Sequence, residues 1–271
     1  MHDIQFEAGT LPGRAVLSVT GADAAHFLHN LLTADVEHLG EGQATLAALL
    51  SPQGKILFDM LVLRQGGGFL IDCAAGQRAD LAKRLAIYRL RAKVEVAPRD
   101  DLHVSVSPGP IPGGYRDPRS EAIGWRVAGP EGRPAQGYDT ARIALGLADS
   151  AADLGSGEFF PHEANLDQLG GVNFKKGCYV GQEVVSRMEH RGTARSRILP
   201  VRLEGDAPPK GTEIRSGGKQ VGTLLSAAGR DALALIRLDR LAEAEGPLLA
   251  DGVALTVRKP SWARYDVPGA A

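Results

Sequence analysis

Cysteine is scarce in this chain: 271 residues hold two, Cys73 and Cys178, and neither belongs to a C-x-x-C pair. That excludes a disulfide scaffold and a self-sufficient zinc or iron–sulfur ligand set, and it fits a reduced, cytoplasmic setting. Long apolar runs are also missing. No window approaches the roughly 18 uninterrupted apolar residues of a membrane helix. The first thirty residues carry Asp3, Glu7 and Gly9, lack the apolar stretch of a signal peptide, and are neither Arg-rich nor acid-poor like a transit peptide, so an intact N-terminus is expected. Neither sign of charge dominates: 31 Lys and Arg face 32 Asp and Glu, a net charge of −1. No global field points to nucleic acid or an anionic membrane, and any basic site has to be local. What is present, at 44% apolar composition, is enough to bury a core in two domains or one large composite one.

Residues Arg14 to Thr20 alternate as a strand, and Ala24, Phe27, Leu28, Leu31 and Leu32 then recur at helical spacing behind Thr20, Gly21 and Asp23 as start signals. The apolar runs Ala44 to Leu50 and Lys55 to Leu63 flank Ser51-Pro52-Gln53-Gly54, a hairpin turn. Phe69 to Cys73 reads as a strand, and Leu81, Leu85 and Tyr88 as one stripe of a helix ending near Arg91. Strands are expected at Lys93 to Val96, Leu102 to Val106 and Ile123 to Val127, and a helix around Tyr138 to Leu147. Ser107 to Gly114 and Ala151 to Gly157 are rich in backbone breakers and read as connectors. After Pro200 the texture changes to short β-type runs, Ile198 to Leu203, Gln220 to Ala227, Ala232 to Leu238 and Val253 to Val257, which suggests a small barrel or sandwich, with a frayed tail from Pro268 to Ala271. The expected division is 1–197 and 198–271, and a subdivision of the first part near 107–114 is compatible with it.

The densest chemical signal is Lys175-Lys176-Gly177-Cys178-Tyr179-Val180-Gly181-Gln182-Glu183, ahead of a helix with Val184, Val185 and Met188 on one side. A helix N-terminus and two lysines favour a thiolate, so Cys178 reads as nucleophile, transient metal or cluster ligand, or redox centre; the bland alternative is a small buried hydrophobe. Residues 175–197 hold six Lys and Arg against Glu183 and Glu189, either a site for carboxylates or phosphates or a solvated face with i, i+4 pairs such as Glu183 with Arg187. Glu163 lies in Phe160-Pro161-His162-Glu163-Ala164-Asn165-Leu166. Its two oxygens match the ring N–H and exocyclic amine of a pterin, though an acid at a helix start would need no ligand. His162 can serve as acid or base or complete a local network. Asp59 interrupts the apolar run Ile56 to Leu63; buried on both faces it needs donors or a ligand, while on an edge it would only guard against sheet pairing.

The block Lys176-Gly177-Cys178-Tyr179-Val180-Gly181-Gln182-Glu183 resembles the signature of the YgfZ family, folate-binding proteins related to the glycine-cleavage T-protein. Thr20 to Leu28, Leu32-Thr33-Ala34-Asp35-Val36, Ser51 to Asp59 and Leu85 to Val94 are similar to the family's opening and middle, particularly in the branch containing the mitochondrial iron–sulfur maturation factor. Phe160 to Asp167 precedes the Cys block at the family's spacing, and Gly222-Thr223-Leu224-Leu225-Ser226 is similar to its terminal barrel.

This resemblance implies an α+β fold in which a T-protein-like body surrounds a central tetrahydrofolate pocket and a small β-barrel ends the chain. It implies an accessory protein in assembly or repair of iron–sulfur clusters, with iron–sulfur assembly machinery or [4Fe-4S] clients such as radical-SAM tRNA-modifying enzymes as partners. No direct nucleic-acid or membrane contact and no permanently bound metal are expected. Glu163 falls where the relatives grip the pterin, and Asp59 near their folate-site aspartate. Lys176, Tyr179, Gln182 and Arg187 complete the folate-binding set, and Cys178 supplies the functional thiol. The T-protein pattern carries adjacent acids where this chain has Phe58 before Asp59, which weakens a conventional enzymatic role; a folate-dependent aminomethyltransferase or demethylase is the alternative, and a docking scaffold with a relic pocket a third.

Overall fold

The computed structural model describes residues 5–192 and 194–270. Ala271 of the expected frayed tail lies outside the described residues. The chain opens with β1 (Gly9–Thr10), β2 (Arg14–Thr20) and helix α1 (Ala24–Leu31), followed by β3 (Ala44–Leu50), β4 (Ile56–Gln65), β5 (Gly68–Ala74), α2 (Arg78–Arg89) and β6 (Glu95–Pro98). Five of these strands form an antiparallel sheet in the order β3-β4-β5-β2-β6. The sheet is covered on both faces, which explains why β4 is apolar almost throughout. Phe58, Met60 and Val62 join Phe27, Leu28, Leu81 and Leu85 of the two helices in one core cluster. Leu61 and Leu63 join a second cluster on the opposite face. By the strand's period of two, Asp59 is on this second face.

A four-stranded sheet in the order β1-β7-β9-β8 follows, built from β7 (His103–Ser107), β8 (Tyr115–Arg116) and β9 (Trp125–Gly129). The strands on either side of the proline-rich stretch 107–114, β7 and β8, thus both pair with β9 in this one sheet. The strand expected at Ile123 to Val127 starts two residues later, because Gly124 takes φ 83° and a Cβ there would stand 2.2 Å from the carbonyl oxygen of Ser107. Helix α3 (Tyr138–Ala144) stops before the expected Leu147, and Gly146 with φ 75° turns the chain away. The stretch read as a breaker-rich connector from Ala151 begins instead with a single wide π-type turn, Ser150–Leu154. Asp153 holds that turn: it accepts from Arg142 Nη1 at 2.8 Å, from the Asp149 N–H at 2.9 Å and from the Ser226 N–H at 3.0 Å.

After α4 (Gln182–Arg191), strands β10 (Ser196–Leu203), β11 (Glu213–Ser216), β12 (Lys219–Ala228) and β13 (Asp231–Arg237), helix α5 (Leu238–Ala242), and strands β14 (Leu248–Ala250) and β15 (Val253–Val257) complete the fold. The six strands close as β10-β13-β12-β11-β14-β15. Of the two architectures expected, the barrel is therefore the one formed, and closure removes the exposed edges a sandwich would keep. The cluster holding Leu61 and Leu63 also contains Val106, Ile143, Leu166, Val185, Ile198 and Leu233, so both sheets, the barrel and the 159–185 segment share one core.

Candidate functional site

Four of the sequence motifs converge on one place. The Thr33 side chain, just past α1, donates to the Gly171 carbonyl at 2.6 Å and accepts from the Ala48 N–H at 2.9 Å, while its carbonyl accepts from Asn173 N–H. Asn173 in turn accepts from the N–H groups of Lys175 and Lys176 at 2.8 and 3.1 Å. The Lys176 ammonium then turns inward and donates to the carbonyls of His29, Leu32 and Ala34, at 2.6 Å for Leu32 and 2.9 Å for Ala34. These are carbonyls at the C-terminal end of α1, where a cation also complements the helix dipole. Burial lowers the Lys176 ammonium to about 8, against the partial support of Asp35 and Glu37.

On its far side the loop is seated on the β3–β4 turn. Gly181 takes φ 79°, and a Cβ there would meet the Ser51 carbonyl oxygen at 2.5 Å and Gly54 Cα at 3.0 Å; Gly54, φ 78°, packs against Val184. Both positions require glycine, for conformation and for space. Tyr179 is buried between these attachments, and its hydroxyl has no partner among the described residues. Burial pushes that phenol up to about 12. Cys178, with its neighbours Gly177 and Lys175, is exposed. It precedes the Gly181 helix cap by three residues, further from the N-terminus of α4 than the sequence reading placed it. Cys73 is the opposite case: buried in β5, with burial pushing its thiol up to about 12.

Glu163 comes to the same turn from the 160–166 segment. Its Oε2 accepts from the Phe160 N–H at 2.8 Å and is 3.9 Å from Lys55 Nζ, which also sits 3.7 Å over the Phe160 ring. One of its oxygens is therefore engaged locally without a ligand, in a turn rather than at the helix start that the alternative reading assumed. Asp59, further along β4, is buried, and its Oδ1 has no partner among the described residues. Burial raises this carboxyl to about 7, helped by Asp149 and opposed by Arg14 and Arg119. The structure groups Asp59 with those charged residues, not with Cys178.

Of the six cations in residues 175–197, Arg187 and Arg197 pair with carboxylates and Lys176 is held by carbonyls, as the alternative of a self-paired face has it, while Lys175, Arg191 and Arg195 are exposed. Arg187 pairs with Glu183 at 2.7 Å on the exposed face of α4. Arg197 is buried, donating to Asp167 and to the His162 carbonyl at 2.6 Å each. Lys176 is held by carbonyls as described. Gln182 opens α4, its N–H donating to the Tyr179 carbonyl at 3.2 Å. His162, also buried, meets Glu189 at 3.0 Å. His162, Asp167 and Glu189 can bring one ligand atom each within 4.8 Å of one another, but Arg197 already occupies Asp167.

Sequence reasoning missed a second polar centre. Arg126, essentially inaccessible, donates to Asp72 at 2.6 Å and Asp117 at 2.7 Å and to the Tyr138 hydroxyl; Arg119 binds Asp117 and Tyr138, and Arg14 binds Asp72 and Asp149. Burial opposes every one of these charges. Arg119 and Arg126 nevertheless hold Asp117 well below the carboxylate range, and Arg14 and Arg142 hold Asp149 at about 2. A cavity of about 460 Å³ lined by Arg14, Tyr138, Arg142 and Asp149 adjoins it. The only sequence signal was a single charge in each of three otherwise mostly apolar strands, Arg14, Asp72 and Arg126.

Residues 14–106 match the model of the GCVT N-terminal domain, and residues 195–265 match that of the CAF17 C-terminal β-barrel domain. In the crystal structure of the glycine cleavage system aminomethyltransferase T from Bartonella henselae the same fold recurs, with a TM-score of 0.74 over 98% of this chain and 88% of that one, at 16% identity. The expected T-protein-like architecture with a terminal barrel is thereby shown. Among curated proteins, the mitochondrial iron–sulfur cluster assembly factor IBA57 of Homo sapiens is 33% identical over 93% of this chain and 84% of its own length, and that of Mus musculus 31% over the same shares. These relatives are named as mitochondrial, which overturns the cytoplasmic setting expected from cysteine scarcity, since scarce thiols do not distinguish two reducing compartments. With 93% of its length aligned at 33% identity to the human protein, the chain belongs to the IBA57 family of iron–sulfur cluster assembly factors.

Proposed function

We propose that the chain acts in iron–sulfur cluster assembly by presenting Cys178 as an exchangeable thiol ligand to partner machinery or [4Fe-4S] clients, radical-SAM tRNA-modifying enzymes included, and that it binds tetrahydrofolate as the YgfZ resemblance implies. One observation carries the thiol role: Cys178 is exposed at the crest of a loop whose other residues are fixed by Lys176, Asn173, Tyr179 and Gly181. A thiol positioned by its neighbours yet bound by none of them suits transient ligation, because a single sulfur leaves the remaining ligand positions to a partner or a small thiol.

For tetrahydrofolate the residues fit in part. Asp59 Oδ1 and the Tyr179 hydroxyl are buried polar atoms without a partner among the described residues, the condition a pterin's donors and acceptors would relieve. Glu163 keeps one oxygen beyond its bond to Phe160. Lys176 and Arg187 are engaged elsewhere, so a polyglutamate tail would have to rely on the exposed Lys175, Arg191 and Arg195. When bound, tetrahydrofolate supplies N5 and N10 as one-carbon carriers. A folate-dependent transferase is favoured as second reading by Asp59, whose carboxyl near 7 is suited to proton transfer; formation of methylene-tetrahydrofolate from an aminomethyl donor would establish it.

The test is restoration of [4Fe-4S] enzyme activity in cells lacking the endogenous factor. Cys178→Ser is expected to fail at wild-type protein level, and full restoration would refute the thiol role. Titration of the purified chain with tetrahydrofolate should show binding weakened about tenfold or more by Glu163→Gln, the effect of losing a charged hydrogen bond.

A further inference from the structure

Among the described residues three large hydrophobic side chains are exposed, and two of them, Ile87 at 58% and Leu90 at 88%, are at the C-terminal end of α2. Leu90 has φ 44° and ψ −107°, a conformation a branched side chain adopts only under strain. Beside them lies a groove of about 430 Å³ between α1 and α2, with Phe27, Leu31, Tyr88 and Ala92 as its apolar lining and His26, Asn30 and Asp23 as its polar one, an Asp23 oxygen accepting from the Lys93 N–H at 2.7 Å. From Lys83 to Lys93 the chain carries five cations, Lys83, Arg84, Arg89, Arg91 and Lys93, and no carboxylate. All five are exposed, and the ion pairs flanking the stretch are made by Arg78 and Arg99 instead. In a chain of net charge −1, a groove with an apolar floor next to five cations that make no ion pair among the described residues is a selective surface.

The groove and the Cys178 loop share α1. That helix ends in the carbonyls that hold Lys176, two residues before Cys178. Val180, two residues after it, packs against the cluster containing Phe27. We propose that the α1–α2 groove docks a protein partner that offers an apolar side chain flanked by carboxylates, and so seats that partner beside Cys178. The inference rests on the reading of Cys178 above for what is then exchanged. A bounded concavity fits a single side chain, whereas a bilayer is met by a continuous convex apolar face.

The experiment uses the full chain and a fluorescein-labelled synthetic peptide in which a central Leu-Trp pair is flanked by Glu on both sides, with a Lys-flanked version as control. Anisotropy should show the acidic peptide binding at least about tenfold tighter, weakened about tenfold by Leu90→Ser and by the double variant Arg84→Glu/Arg91→Glu. Hydrogen exchange should slow at residues 26–31 and 87–92. These side chains are exposed, so the variants should keep the parent's Tm, which is checked in parallel. Equal binding of the two peptides, indifference to both variants, capture by phosphatidylserine vesicles in place of the peptide, or Leu90-dependent self-association would each overturn the proposal. Cys178→Ser should bind the acidic peptide normally: a groove that works beside a dispensable Cys178 would refute the thiol reading alone, and a silent groove beside an essential Cys178 would refute this one alone.

Discussion

The buried ionic centre around Arg126 and the Cys178 loop handle polarity in opposite ways. In the first, Arg14, Arg119 and Arg126 and the carboxylates of Asp72, Asp117 and Asp149 satisfy one another. In the second, side chains and backbone cooperate to fix a loop while leaving its one sulfur unengaged. Concentrated charge is thus no guide to a ligand site in this molecule. The more heavily charged centre is internally complete, whereas the loop gives its Lys176 ammonium to backbone carbonyls and leaves its sulfur exposed.

The contrast breaks most visibly if the ionic centre is cut. Arg126→Met leaves Asp72 and Asp117 short of a partner inside the core, and a loss of about 3–5 kcal/mol is expected in denaturant unfolding, with Cys178 alkylation by a small reagent unchanged wherever the protein is folded.

Asp59 sharpens the comparison, as a buried carboxyl beside the centre whose Oδ1 has no partner among the described residues. Its folded carboxyl near 7 lies above the unfolded value near 3.8, so between them the native state holds a proton that the unfolded chain has released. Stability from this group is therefore fully present below about pH 4 and is lost as pH rises through 7, by up to about 4 kcal/mol. Asp59→Asn should flatten that slope in unfolding measured across pH 5–8 and raise stability at pH 8. An unchanged slope would show that the carboxyl has a partner.

In the loop, Lys176→Met should cost about 1–3 kcal/mol by stripping donors from the end of α1, and should speed hydrogen exchange at residues 173–180. Gly181→Ala, facing the Ser51 carbonyl at 2.5 Å, should cost a similar amount. Arg187→Ala should cost no more than about 0.5 kcal/mol, since its pair with Glu183 is exposed.

Much of the body was legible because its signals are local. The stripe of α1, the Ser51–Gly54 turn and strands β2 and β15 follow from side-chain period and turn chemistry, and their bounds agree with the structure. β11 and β14, four and three residues long, have too little alternation to be read and exist because the barrel needs them to close. The Cys178 loop was legible as a motif, but the task of Lys176 was not: its three acceptors are about 140 residues away, so proximity in sequence to Cys178 suggested an electrostatic partner where the fold made a structural one. The ionic centre was invisible for the same reason, since each of its pairs looks like surface charge until the sheets are assembled.

The central claim is that the loop exists to present one thiol. It is tested most directly by mixing the purified chain with ⁵⁵Fe-loaded cluster-assembly machinery and an apo-[4Fe-4S] enzyme, and following radiolabel incorporation for wild type and for Cys178→Ser of equal Tm. The account predicts that the serine variant falls to the rate seen without the protein; incorporation at the wild-type rate would contradict it.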